Sequence, residues 1–292
     1  MASTTLAERA IRWYDATARD LPWRRPGTSA WAVLVSEVML QQTPVARVEP
    51  VWREWLARWP APADLAAEPA GEAIRAWGRL GYPRRALRLH GCAQALVEHH
   101  HGEVPTDLTL LLELPGVGAY TARAVAAFAY GQRQPVVDTN VRRLVARAWR
   151  GRPDGGPATT SADLLVVGEL LPRQPARAAR ASVAFMELGA LICTARTPSC
   201  ADCPLATVCA WRAAGAPADA DPVRRRSPGF AGTDRQVRGL ILGLARSGPA
   251  ARSAIDALWP DPVQRERALA GLITDGLLTT VDGAHYHLPG LP

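Results

Sequence analysis

The 292-residue sequence has no lysine, so all 34 of its basic residues are arginine. A lysine nucleophile, a Schiff base on a lysine side chain and a phosphate-gripping lysine loop are excluded before any motif is read. Long apolar runs are missing too. Stretches such as 31–35 and 188–193 fall far short of the ~18 residues a membrane span needs. The N-terminus also lacks the layout of a signal peptide, and a soluble, cytoplasmic protein without membrane contact is expected. Acidic residues are in deficit, 27 against 34 basic, for a net charge of +7. That balance points to a polyanionic partner, and nucleic acid fits it better than a membrane surface. With 48% hydrophobic and 21% charged residues the composition is that of a globular chain, and at roughly 150 residues per domain it predicts about two domains.

Cysteine is scarce, but its distribution is informative. Four of the five cysteines, Cys193, Cys200, Cys203 and Cys209, form C-x6-C-x2-C-x5-C, and Cys92 stands apart. Inside a cell such a cluster reads as a metal or iron–sulfur site before a disulfide framework. Zinc sites tend to use two short hooks. One tight hook between two long gaps fits four thiolates around a [4Fe-4S] cube better. Zinc and disulfides stay open on spacing alone, and Cys92, in an apolar-faced stretch, reads as a small buried hydrophobe.

Three-and-four spacing of apolar residues predicts helices over 6–18, 31–42, 45–59, 84–99, 117–130, 140–149, 162–171 and 177–192. The tryptophans Trp52, Trp55 and Trp59 recur at that spacing and read as core. His99, His100 and His101 read as solvated surface. Residues 213–232 lack periodicity and read as a linker, in which Arg224 to Arg226 touch phosphate or are simply solvated. Beyond it, Val237, Leu240, Ile241 and Leu244 make one helix face and Leu269, Leu272 and Ile273 another. Strand-like pieces at 277–281 and 285–288 flank the Asp282-Gly283 turn. Helices followed by a ribbon predict a winged helix, a unit that either reads DNA or packs against protein.

Three local features carry chemistry. Leu114-Pro115-Gly116-Val117-Gly118 makes a tight turn between helices, a phosphate-binding hairpin or a plain connector. Asp138 ends the step Gln134-Pro135-Val136-Val137 just before a helix, where it is either a functional carboxylate or an ordinary N-cap. Glu37, among apolar neighbours in Ser36-Glu37-Val38-Met39-Leu40, is either an acid whose pKa burial raises or a salt-bridge partner.

In that order, from about Leu6 to Ala214, these features resemble the helix-hairpin-helix DNA glycosylases of the endonuclease III superfamily, and within it the MutY-type adenine glycosylases. The matching strings are Arg19-Asp20-Leu21-Pro22-Trp23-Arg24, Glu37-Val38-Met39-Leu40-Gln41-Gln42-Thr43, Leu80-Gly81-Tyr82, the hairpin with Tyr120-Thr121, Val137-Asp138-Thr139-Asn140, and Met186-Glu187-Leu188-Gly189-Ala190 leading into Cys193.

The resemblance implies a base-excision-repair hydrolase that cuts the N-glycosidic bond of adenine opposite 8-oxoguanine or guanine in double-stranded DNA. Glu37 would protonate the adenine. Asp138 would stabilise or trap the sugar cation, Tyr120 would support it, and Asn140 would position a carboxylate or water. Arg19, Leu21, Trp23, Arg24 and Met186 would wall the base pocket. Gln41, Gln42 and Tyr82 would enter the helix, with Thr43 a further DNA contact and Gly116, Gly118 and Arg196 on phosphate. Cys193, Cys200, Cys203 and Cys209 would hold the [4Fe-4S] cluster. Relatives that nick the strand carry a lysine where this chain has Tyr120, so a monofunctional enzyme leaving an abasic site is expected.

Three departures stand out. Ser182-Val183 replaces an expected polar pair, Pro83 replaces a second tyrosine, and about sixty residues after Gly232 are too few for a Nudix-like 8-oxoguanine reader, although His285-Tyr286-His287 faintly resembles a loop of that domain. A T·G thymine glycosylase and a non-catalytic iron–sulfur DNA-binding protein are the alternatives. A strand-nicking lyase is left only the N-terminal amine.

The expected architecture is all-α. It has a glycosylase region over 1–214, with a six-helix barrel at about 25–135 and an iron–sulfur module from 1–24 and 136–214. A linker at 215–232 and a winged-helix-like domain at 233–292 follow. DNA would pass between the modules of a monomer, in the nucleoid of a GC-rich bacterium.

Overall fold

The computed structural model describes residues 2–156, 158–218 and 229–292. The centre of the expected linker, with Arg224, Arg225 and Arg226, lies outside these. The described residues fall into two compact units. One is drawn from Met1–Glu37, Pro105–Glu113 and Val117–Val223, the other from Val38–Val104, Leu114–Gly116 and Arg224–Pro292.

The periodic stretches form helices within four residues of their expected ends: Ala2–Thr17, Ala30–Leu40, Val45–Arg58, Arg84–His100, Ala119–Phe128, Thr139–Ala148, Ser161–Leu170 and Pro175–Leu191. Side chains set some of these ends. Asp138 caps Thr139–Ala148 by accepting from the Val141 N–H at 2.7 Å, and Thr160 with Asp163 closes a reciprocal capping box on Ser161–Leu170. The helices that periodicity does not reveal are short: Pro62–Ala66, Ala70–Trp77, Leu108–Glu113, Ala210–Ala213 and Arg252–Ala257. One or two turns cannot display a repeat of 3.6. Strand content among the described residues is confined to Ala250–Ala251 paired with His285–Tyr286 and one bridge between Thr279 and His287. The chain is all-α in class, and no described helix is long and apolar enough to cross a membrane.

In the first unit, Ala2–Thr17 packs along Pro175–Leu191, so Tyr14, Leu144, Val167, Phe185 and Leu188 share one core. In the second, Trp55 meets Trp59 edge-on at 4.7 Å and Trp77 at 5.7 Å. Cys92 is buried in this unit, and burial pushes its thiol up to about 12. His99 and His101 are exposed.

The C-terminal segment forms the helices Asp234–Ser247, Arg252–Ala257 and Pro262–Thr274 with the small ribbon. Its buried faces differ from the expected ones. Val237, Ile241, Leu242 and Ala245 face the interior of the first helix, while Leu240 and Ile273 turn outward, because packing chooses among the apolar residues that periodicity offers. The segment seats on the helices of its own unit. The Pro289 carbonyl accepts from the Gly71 N–H at 2.8 Å, and a Cβ at Gly71 would lie 2.8 Å from Leu291. Arg246 donates to the Ile74 carbonyl and Arg75 to that of Arg246, each at 3.1 Å. Four of its arginines are spent on acids: Arg238 on Asp275, Arg252 on Asp256 and Glu266, Arg265 on Asp256, Arg267 on Asp234.

Candidate active site

Residues 31–39 of Ala30–Leu40 are all buried, and Glu37 is the one ionisable group among them. A charge there has lost its water, so burial pushes the Glu37 carboxyl up to about 7. The Tyr120 hydroxyl hydrogen-bonds it and, with the positive Arg24, works against that rise, while the negative Asp138 adds to it. Tyr120, in the first turn of Ala119–Phe128, is held well above its ordinary range by burial and by both carboxylates. It is therefore a neutral donor.

Asp138 follows the buried Val136 and Val137, a step tied down where the Ser182 hydroxyl donates to the Gln134 carbonyl at 3.1 Å. The N-cap reading of Asp138 holds. One oxygen caps the helix, and the other accepts from Asn140 Nδ2 at 2.8 Å. Burial raises its pKa, and the Val141 N–H, Asn140 and the charge of Arg143 oppose the rise. Asn140 is oriented in turn by Arg143 at 2.8 Å, and Arg143 also donates to the Gly189 carbonyl at 2.6 Å and to that of Cys193 at 2.7 Å. Gly189 must be glycine here, because a Cβ would lie 2.6 Å from the Asn140 carbonyl.

Glu187 is fully buried and lies between two arginines. Arg19 grips it with two bonds at 2.6 and 2.7 Å, and Arg24 adds one at 2.8 Å. These bonds outweigh burial and bring Glu187 down to about 2. The arrangement leaves Glu37 able to give a proton near neutrality, Asp138 oriented beside it, and Arg24 bonded to Glu187 while its charge acts on Glu37.

The cysteine loop lies in the same unit. Cys193, Cys200, Cys203 and Cys209 line one cavity, walled by Leu144, Ala148, Leu205 and Trp211. Arg147 stacks over Trp211 at 4.8 Å and donates to the carbonyls of Thr194 and Ala195 at 2.7 and 3.1 Å. Among the described residues no three such side chains are set to hold a single metal ion. The four thiols line this one cavity, and by its chemistry an all-thiol donor set fits a cluster.

Residues 35–168 match the HhH-GPD superfamily of base excision DNA repair proteins. An adenine DNA glycosylase of Mycobacterium tuberculosis is 54% identical over 284 residues, covering 96% of this chain and 92% of that one. The chain belongs to the adenine DNA glycosylase family. A thymine/uracil-DNA glycosylase of Pyrobaculum aerophilum is more distant, 34% identical over 212 residues, or 71% of this chain and 92% of that one. The trapped covalent intermediate of endonuclease III with DNA superposes with a TM-score of 0.61 at 26% identity, covering 72% of this chain and 95% of that one.

The remaining expected site residues of this family member fall into three groups. Leu21 and Trp23 are buried, and Met186 is half-buried with Tyr120 against Ala124, Ala127, Val136 and Ala179. Gln42, Tyr82, Gly116, Gly118 and Arg196 are exposed, Gln41 is half-exposed, and Gly116 turns the hairpin at φ 79°, where a Cβ would meet Arg88 at 2.7 Å. Thr43 differs from expectation. It is buried, and its hydroxyl reaches the Leu80 carbonyl at 3.2 Å, so it holds its loop rather than facing DNA. Arg19 and Arg24 are likewise committed to Glu187.

Glu187 itself was legible only as part of a motif, and Arg143 not at all; the signal for either is a charged residue on an apolar helix face. Replacing Glu187 with glutamine strands two partly buried arginines. We expect it to cost about 3 kcal/mol in denaturant unfolding. The parent's advantage is present above the ordinary value of 4.5 and lost as pH falls toward about 2.

Proposed function

We propose that this protein is a monofunctional glycosylase that hydrolyses the N-glycosidic bond of adenine mispaired with 8-oxoguanine or guanine. The observation that carries the reading is the carboxylate pair: Glu37, poised near neutrality, and Asp138, oriented by its cap and by Asn140. Breaking this bond builds positive charge on the sugar and negative charge on the departing base. One group must therefore deliver a proton and another must offset the cation. Glu37 gives its proton to the adenine, Asp138 faces the sugar, and Tyr120 hydrogen-bonds Glu37 and moderates the rise of its pKa. With no lysine in the chain, the sugar has no side-chain amine to form an imine with, and the product is an intact strand with an abasic site.

The adenine must leave the duplex to reach a buried carboxyl. Tyr82 and the amides of Gln41 and Gln42 take its place, and the hairpin at Gly116 and Gly118 with Arg196 holds phosphate. Leu21, Trp23 and Met186 form the apolar wall of the pocket, braced behind by Arg19 and Arg24 on Glu187. The four cysteines would hold a [4Fe-4S] cluster that organises this loop and, when bound, supplies structural order rather than a step of the hydrolysis.

The test is single-turnover cleavage of duplexes bearing A opposite 8-oxoguanine, A opposite G, and T opposite G, with and without alkali. Adenine release with strand breakage only after alkali is expected. Thymine release would move the assignment to a T·G enzyme, and breakage without alkali would overturn monofunctional chemistry. For the cluster, the purified parent should carry about four irons with matching sulfide. Cys203→Ala should lose both along with its visible absorbance, and stoichiometric zinc in the parent would sink the assignment.

A further inference from the structure

Four non-glycine residues with left-handed backbone occur among the described residues, and two of them, Gln42 at φ 57° and Tyr82 at φ 49°, belong to the proposed duplex-entering set. Both are exposed, Tyr82 to 51%. Side chains larger than glycine leave this backbone region unless their surroundings hold them there. One buried guanidinium reaches both loops. Arg85 donates from Nη1 to the carbonyls of Val38, Met39 and Gln41 at 2.8, 3.2 and 2.5 Å, and from Nη2 to Thr43 Oγ1 and the Gly81 carbonyl at 3.1 and 3.2 Å. Three of these acceptors are carbonyls at the end of Ala30–Leu40, where a helix leaves its own groups without partners. The same guanidinium lies 5.4 Å from the Trp77 ring and 5.3 Å from that of Tyr82, and Trp77 Nε1 donates to the Gly81 carbonyl at 2.9 Å. A planar fork with donors on two sides can serve two loops at once, which a single ammonium could not.

The geometry points to Arg85 as a positioning residue for base extrusion: it locks the Gln41-Gln42 turn and the Tyr82 turn together, with Gln42 and Tyr82 held outward, ready to fill the place the adenine leaves. This rests on the adenine-glycosylase reading above. An exposed aromatic that is already oriented does not have to be ordered when DNA arrives, so the cost of unstacking the base is met by a surface that is already built. Arg85 touches neither substrate nor reacting atoms, and its effect is confined to duplex substrates in which a stacked base must be displaced.

The experiment compares Arg85→Met, Tyr82→Ala and the double variant with the parent. Substrates are a duplex with A opposite 8-oxoguanine and the same strand with the adenine opposite an abasic gap, where extrusion is easy. A third duplex carries 2-aminopurine at the adenine position to report unstacking by fluorescence. Arg85→Met is expected to lose about tenfold or more in single-turnover rate on the paired duplex and most of the fluorescence rise. It should stay within about threefold of the parent on the gapped substrate, and the double variant should be no worse than Tyr82→Ala. Equal losses on both substrates, or effects that multiply in the double variant, would mean a general packing role and overturn the proposal, as would a parent-like rate on the paired duplex.

Should Arg85→Met fail to fold, Thr43→Val removes one Arg85 bond together with the hydroxyl's own bond to the Leu80 carbonyl and is expected to show the same duplex-only loss at about threefold; a parent-like rate there overturns the proposal too. If the parent itself releases no adenine, the glycosylase reading fails, whereas the 2-aminopurine signal still decides the role of Arg85.

Discussion

Glu37→Gln is expected to abolish adenine release from a mispaired duplex while leaving DNA binding intact. Glutamine fills the same buried space and can still accept from Tyr120, but it has no proton to give. The expected loss is therefore that of a general acid, about 10²- to 10⁴-fold in single-turnover rate. The parent's pH profile should carry the same signature. With Glu37 raised to about 7, the working protonated form dominates below that value. The rate should then be level below neutrality and fall as pH rises through about 7. Tyr120 holds Glu37 down and Asp138 pushes it up, so Tyr120→Phe should move the falling limb to higher pH and Asp138→Asn to lower pH. A limb that stays put in both variants would mean another group titrates.

Stability follows the same sign. The contribution of protonated Glu37 is complete below its ordinary value of 4.5 and is lost as pH rises through about 7. Above about 7, Glu37→Gln should thus melt higher than the parent.

Asp138→Asn should be nearly as damaging to the chemistry and harmless to the fold. Asparagine is as good an N-cap as aspartate, so the bond from the Val141 N–H survives and Thr139–Ala148 keeps its first turn. What disappears is the negative charge proposed to face the sugar. Removing one group that answers charge developing in the transition state costs about 10²- to 10³-fold. Asp138→Ala should show the same rate loss together with about 1 kcal/mol of lost stability from the missing cap. If the asparagine variant lost stability but kept its rate, Asp138 would be a cap and nothing more.

Much of the site was legible because its chemistry is written in short, ordered strings. Glu37 in an apolar stretch announces a carboxyl without water, and C-x6-C-x2-C-x5-C announces four thiols around one centre. Long helices and the apolar core of Trp52, Trp55 and Trp59 follow from a repeat of 3.6. What did not follow is equally specific. Thr43, adjacent in sequence to the exposed Gln42, turns inward to Leu80. Arg19 and Arg24 are spent on Glu187, 168 and 163 residues away.

The sequence by itself determined the helical class, the exclusion of lysine chemistry, the clustering of four cysteines and the local settings of Glu37 and Asp138, because each depends on residue type and local spacing. Tertiary structure alone decided how those groups are tuned and held: Glu187 between two arginines, Arg143 running from Asn140 to Cys193, Arg85 across two strained loops, and the C-terminal segment seated at Gly71. Burial sets the strength of a charge, and burial comes from residues far apart in the chain. A string of letters can name a buried carboxylate, but its partner is known only when the chain has closed around it.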